Sequence, residues 1–163
     1  VLTSLRGHRV VAAADFFTGY LTTCLEPDEL VTQIRLPMQS PCSGSAFMEV
    51  SRRHGDFALV GVAVTVTLQS DGGCNSARIV LTGVDDVPFQ ADEAVESLRG
   101  GKLTEQSIAE AARLVAKNVK PQSDLHASVA YRINAAQVLT ARALTTAVER
   151  ARASLRVSSG GVQ

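Results

Sequence analysis

The sequence predicts an α+β fold: an antiparallel sheet with a three-stranded core, followed by helices that pack against it. Apolar residues recur with period 2 up to about residue 84 and with period 3.6 from residue 88 onward. Asp71-Gly72-Gly73, a hairpin signature, joins two alternating runs. Strands come first and helices after, an order that excludes a doubly wound parallel sheet.

The elements follow in chain order. Residues 10–17 form a small apolar run ending in Asp15-Phe16-Phe17-Thr18-Gly19-Tyr20, read as an extended segment and a turn. Glu26-Pro27-Asp28-Glu29 is a second turn. Residues 30–36 then alternate, with Leu30, Thr32, Ile34 and Leu36 on one side and Val31, Gln33 and Arg35 on the other. That predicts a strand with one core face, stopped by Pro37. Residues 38–45 carry Pro41, Gly44 and serines and read as a surface loop. Extended structure resumes over 46–53 and breaks at His54-Gly55-Asp56.

Residues 60–69 give the strongest strand pattern: Val62, Val64, Val66 and Leu68 face one way, Ala63, Thr65, Thr67 and Gln69 the other. The returning strand is 75–84, with Ala77, Ile79 and Leu81 on one side and Arg78, Val80 and Thr82 on the other. Residues 90–98 read as a short helix closed by Gly100-Gly101. Thr104 caps the next helix, whose stripe is Ile108, Ala112, Val115 and Val119, and Pro121 ends it. A last helix begins near Ser128 and runs to about Arg152 without Gly or Pro. Residues 153–163, including Ser158-Ser159-Gly160-Gly161, are expected to be a flexible tail.

The chain has 163 residues, with 16 Lys plus Arg against 16 Asp plus Glu. A neutral chain has no global field to draw it onto nucleic acid or an anionic membrane, and no apolar run approaches the ~20 residues of a membrane helix. Cys24, Cys42 and Cys74 are odd in number and widely spaced, which argues for reduced thiols in a cytoplasmic protein rather than disulfides or a zinc site. His8, His54 and His126 lie far apart and read as surface histidines with no metal-ligand spacing. Val1 stands where a starter Met would, without the order of a signal peptide, so the chain reads as a piece of something longer.

Two polar constellations stand out. Ser51-Arg52-Arg53-His54-Gly55-Asp56 falls between two extended segments. It is either a solvated strand end with an internal ion pair or a loop bordering an anionic cofactor or partner, since guanidiniums bind carboxylate and phosphate bidentately. Ser123-Asp124, Ser128 and Tyr131-Arg132 suit capping and anchoring of the last helix, with Ser128 and Arg132 one turn apart.

Together the fragments resemble one family. They are Gly7-His8-Arg9, the Asp15 to Tyr20 run, Thr23, Pro27-Asp28-Glu29-Leu30, Ile34-Arg35-Leu36-Pro37, Phe47, Ser51-Arg52-Arg53, Gly55-Asp56-Phe57-Ala58, Gly83-Val84 and Asp124-Ser128-Tyr131-Arg132. The family is the FAD-binding (medium) subunit of molybdenum hydroxylases, of the carbon monoxide dehydrogenase and xanthine dehydrogenase type. The resemblance covers nearly the whole chain but only the C-terminal portion of the family's subunit, without its two Gly-rich pyrophosphate loops. It implies that residues 1–37 end the FAD-binding subdomain and that 43–152 form the C-terminal α+β domain. It also implies FAD as cofactor, and as partners a molybdopterin-binding large subunit and an iron–sulfur small subunit.

The role implied is electron transfer, with no catalytic side chain and no metal site on this chain. By position, Val31 matches a residue whose backbone meets the flavin side. Met48 matches a position where relatives place a Lys near FAD. Ser51, Arg52, Arg53 and Asp56 match a loop beside the isoalloxazine ring. The isolated chain is expected to bind FAD weakly or not at all, and exposed apolar surface is expected to drive self-association into a homo-oligomer. The alternative is a non-enzymatic docking module of the same fold.

Overall fold

The computed structural model describes residues 1–53 and 55–160, with 157–160 described by backbone alone. Two small sheets come first. Strand β1 (Leu2–Ser4) pairs with β2 (Gly7–Arg9) on one edge and with β5 (Leu30–Val31) on the other, all antiparallel. Between them lie a single helical turn α1 (Ala13–Phe16) and the hairpin of β3 (Phe17–Gly19) and β4 (Thr22–Thr23). The expectation of extended structure over 10–17 is therefore corrected: Ala12, Ala13 and Ala14 are strong helix formers and close a turn before Phe17. Arg9 donates to both oxygens of Glu29 at 2.7 Å, and Arg6 reaches Glu26 and Asp28, fastening β2 and its turn to residues 26–29.

The strand expected over 30–36 is also corrected. Only Leu30–Val31 pairs, and the face expected to be core is open, with Leu30 at 72%, Ile34 at 79% and Leu36 at 84% exposure. The alternation is present, but among the described residues β5 has a partner on one edge only and its apolar side has no cover.

The larger unit is an antiparallel sheet in the order β6-β7-β8-β9: β6 (Ser43–Val50), β7 (Val60–Leu68), β8 (Cys74–Thr82) and β9 (Phe89–Gln90). The three expected strands are there, and the two-residue β9 adds a fourth. It arises because Phe89 and Gln90 pair with Leu81 and Val80 before the helix starts. Ser43 and Gly44, expected in a loop, already pair with Thr67 and Val66. The alternation of β7 holds: Val62, Val64, Val66 and Leu68 are buried, whereas Ala63 and Thr65 are exposed. Each buried Val contributes roughly 1.5–3 kcal/mol. Gly72 turns β7 into β8 at φ +83°, a conformation glycine adopts without penalty.

The helices are α2 (Asp92–Leu98), α3 (Glu105–Asn118) and α4 (Val129–Gly160). Thr104 caps α3 with a reciprocal bond to Ser107, and Ile108, Ala112 and Val115 face inward as expected. Helix α4 lies across β6 and β7, α3 rests on α4, and α2 bridges α3 and β8. The close approach of α4 depends on small residues: Ala136, Ala143, Ala147 and Ala151 are each 0% exposed. Opposite them a Cβ on Gly44 would stand 2.1 Å from the carbonyl oxygen of Ala147. Helix α4 continues through 153–160, where a tail was expected, because residues 153–157 carry no helix breaker; Gly161 to Gln163 lie outside the described residues.

Candidate functional site

The site is built where β6 gives way to β7. Strand β6 ends at Val50, whose carbonyl accepts from the Leu59 N–H at 2.8 Å. That bond is the neck of a loop spanning residues 51–58. Four of the expected site residues, Ser51, Arg52, Arg53 and Asp56, share this loop; His54 lies outside the described residues. Inside it, Ser51 Oγ donates to the Arg53 carbonyl at 2.9 Å and the Asp56 N–H donates to the same carbonyl at 3.1 Å. Arg52 Nη2 is 3.3 Å from Asp56 Oδ2, so the internal ion pair read from the sequence is present. At this exposure such a pair is worth under about 1 kcal/mol. Arg53 is exposed and its guanidinium has no partner among the described residues, and Phe57 is 95% exposed. The loop tip therefore offers two guanidiniums and a ring to solvent.

The two other expected residues lie elsewhere. Val31 sits on β5, whose outer edge is unpaired among the described residues, so its backbone groups are available to a neighbour. Met48 is on the helix-facing side of β6, partly buried against the core, and its thioether is committed to packing. Its strand neighbour Phe47 points the other way, 62% exposed, with its ring over Gly61. Phe47, Ala63 and Val80 form one cross-strand row of this open sheet face.

The neck is held from below. Arg132, on the first turns of α4, is 7% exposed. Its Nη1 donates to the carbonyls of Leu59 and, at 3.0 Å, Gly83, and its Nη2 donates to Asp124 Oδ2 at 2.6 Å. Asp124 Oδ1 accepts the N–H groups of His126 and Ala127, both at 2.8 Å. Those backbone donors, with Arg132 adding to them, hold the Asp124 carboxyl below its ordinary range. Ser128 Oγ accepts from the Tyr131 N–H, capping α4 as expected. Gly83, at φ +78°, lets β8 leave beside Leu59, where a Cβ would lie 2.2 Å from the Leu59 carbonyl. The sequence marked Arg132 as a helix anchor; what it did not show is that the guanidinium crosses to two loop carbonyls on the sheet.

A second concavity, of ≈ 640 Å³, lies between α1 and the outer face of β8 and β9, with Phe17, Val80, Arg78 and Arg99 in its lining. Arg99 is paired with Glu96 at 2.8 Å, so the lining carries compensated charge. Among the described residues no cluster of His, Cys, Asp and Glu could hold a metal ion, and no helix is long and apolar enough to cross a membrane.

A four-stranded antiparallel sheet backed by one long C-terminal helix is the α+β architecture this chain shares with the solved carbon monoxide dehydrogenases it superposes on. The sequence profile of the CO dehydrogenase flavoprotein C-terminal domain matches residues 45–147, and the chain belongs to that family. Over 151 residues it is 37% identical to the carbon monoxide dehydrogenase medium chain of Afipia carboxidovorans, covering 93% of this chain and 52% of that one. It is 34% identical over 149 residues to subunit alpha of the 6-hydroxypseudooxynicotine dehydrogenase complex of Paenarthrobacter nicotinovorans, covering 91% and 50%. The solved carbon monoxide dehydrogenase of Hydrogenophaga pseudoflava superposes with a TM-score of 0.87 at 32% identity, covering 91% of this chain and 52% of that one. The chain thus spans about half the length of these relatives.

Proposed function

We propose that this chain is the C-terminal portion of the FAD-binding electron-transfer subunit of a molybdenum hydroxylase. In this reading it passes electrons from iron–sulfur clusters, through FAD, to an acceptor. Residues 1–37 end the FAD-binding subdomain and residues 43–152 form the C-terminal domain. The partners are a molybdopterin-binding large subunit and an iron–sulfur small subunit. The observation that carries the reading is the family match over 45–147 with the arginine-bearing loop at the exposed end of its sheet.

The donor set fits the ring end of such a cofactor. Arg52 and Arg53 supply exposed positive charge, Ser51 a hydroxyl, and Val31 open backbone groups on the edge of β5. The phosphate end finds no cradle in this sequence, which has no Gly-rich loop opening a helix. When bound, FAD supplies the electron-transfer chemistry. The chain's own residues do three things: the two guanidiniums favour negative charge beside them, the 51–58 loop limits access from solvent, and Met48 packs beneath the strand that carries the loop. No side chain acts as acid, base or nucleophile, and the isolated chain is inactive.

Two measurements test this. In an FAD titration of the purified chain, followed by flavin fluorescence, no saturable quenching is expected; tight stoichiometric binding would overturn the assignment of the phosphate contacts to another part of the subunit. The protein isolated from its native source is expected to co-purify with chains carrying molybdenum and iron. Recovery as a metal-free, flavin-free species would favour the docking module instead.

A further inference from the structure

We infer that Arg132 is a positioning residue for the 51–58 loop: its guanidinium locks the loop's neck to helix α4, so the helix sets where Arg52 and Arg53 stand. The inference rests on the proposed function only in taking that loop to be the one beside the flavin.

The geometry separates a rigid base from a loose tip. At the tip the side-chain bonds among the described residues are exposed: the Arg52–Asp56 pair at 3.3 Å and the Ser51 hydroxyl on the Arg53 carbonyl, with Phe57 open to solvent. At the base the Leu59 N–H is bonded to Val50, and the Leu59 carbonyl is taken by Arg132. The same Nη1 holds the Gly83 carbonyl, the residue that lets β8 leave close beside Leu59. On its far side Arg132 is braced by Asp124, whose other oxygen is fixed by two backbone N–H groups. One planar fork therefore joins three segments distant in sequence: the loop before β7, the turn after β8 and the lead-in to α4. A guanidinium suits this because its donors lie in one plane at fixed angles, whereas an ammonium cannot hold all three acceptors in one rigid arrangement. Nothing in the loop's own sequence replaces that brace. Loss of it leaves the strands paired but lets the neck swing.

The test is amide hydrogen exchange on the whole chain with Arg132→Lys, comparing Leu59 with Val64 in the middle of β7. Gly72→Ala serves as the control, since it lowers stability at a remote turn where a Cβ meets no neighbour. In Arg132→Lys, Leu59 is expected to lose protection by at least about tenfold beyond any loss at Val64, while Gly72→Ala lowers both alike. Equal loss at the two amides in Arg132→Lys, or no loss at either, would overturn the inference. If Arg132→Lys does not fold, Asp124→Asn decides. It leaves the two carbonyl bonds, but its single amide oxygen cannot serve both Arg132 and the His126 and Ala127 N–H groups, so the brace is broken at one end. A smaller but still Leu59-selective loss is expected, and a uniform loss refutes.

A second readout keeps the two readings apart. In the FAD-loaded oxidoreductase, Arg132→Lys is expected to shift flavin fluorescence, because the arginines beside the ring move. Selective exchange at Leu59 with unmoved fluorescence would keep the clamp and overturn the placement of the loop at the flavin. Moved fluorescence without selective exchange would overturn the clamp and keep that placement.

Discussion

Replacing Gly44 by Ala tests the closest contact in the fold. The added carbon would stand 2.1 Å from the Ala147 carbonyl oxygen, 2.4 Å from the Ala151 nitrogen and 2.9 Å from the Arg150 Cβ. A carbon meets a carbonyl oxygen at about 3.3 Å or more, so α4 and β6 must part by about 1 Å. The first two obstacles are backbone, and no rotamer relieves them. A gap of that size forfeits a quarter to a half of each dispersion contact along the seam. With Ala143, Leu144, Ala147, Val148 and Ala151 all buried there, about 3 kcal/mol or more is lost. Urea unfolding followed by circular dichroism reads it: at an m of about 2 kcal/mol/M the midpoint falls by about 1.5 M with m unchanged. Gly72→Ala separates contact from conformation, since Gly72 has φ +83° and nothing within 4 Å. It is expected to cost about 1–2 kcal/mol. A Gly44→Ala cost below that of Gly72→Ala would refute the close-approach argument.

Glu29, hydrogen-bonded by Arg9, titrates at about 2 instead of 4.5. Its folded value is depressed, so its stabilising effect is present above about pH 4.5 and is lost as pH falls toward 2. Carboxyl chemical shifts should show this, and the stability difference between the chain and Glu29→Gln should vanish by the acid end; titration near 4.5 would refute the pairing. Cys74 is fully buried and its thiol is pushed up by that burial, whereas Cys24 and Cys42 are half-buried. A thiol reagent should label the latter two in the native chain and Cys74 only on unfolding. The exposed Leu5, Leu21, Leu36 and Met38 predict self-association in sedimentation that strengthens with sulfate; a strictly monomeric chain at high concentration would count against it.

What the sequence made legible was whatever is set locally. Period-2 valines gave β7, Asp71-Gly72-Gly73 gave the turn, and Thr104 gave the start of α3, each settled by a few neighbouring residues. The ion pair of Arg52 with Asp56 was legible for the same reason. The role of Arg132 was not: its acceptors are carbonyls at Leu59 and Gly83, and a carbonyl leaves no mark in a sequence. The side of β6 that Met48 takes was not legible either: it faces the helices, packed against the core. Strand β9 was missed because two residues are too few to show a period.

Residues 30–36 and 60–68 carry the same alternating pattern yet end differently, and the contrast explains the chain's organisation. In β7 the inward valines meet α4, and strands on both sides take the backbone bonds. In β5 pairing stops after two residues, and Ile34 and Leu36 face solvent. Alternation states a demand for cover, while burial requires a surface to meet it. The segment 43–152 meets its own demand with α2, α3 and α4, and so builds a core from its own residues. The first 38 residues hold together by short ladders and by ion pairs, exposed at Arg6–Glu26 and with a nearly covered carboxylate at Arg9–Glu29, with the apolar side of Ile34 and Leu36 open. The arginine-bearing loop belongs to the self-sufficient part, anchored through Arg132 to its longest helix, so its position does not depend on how that open side is covered.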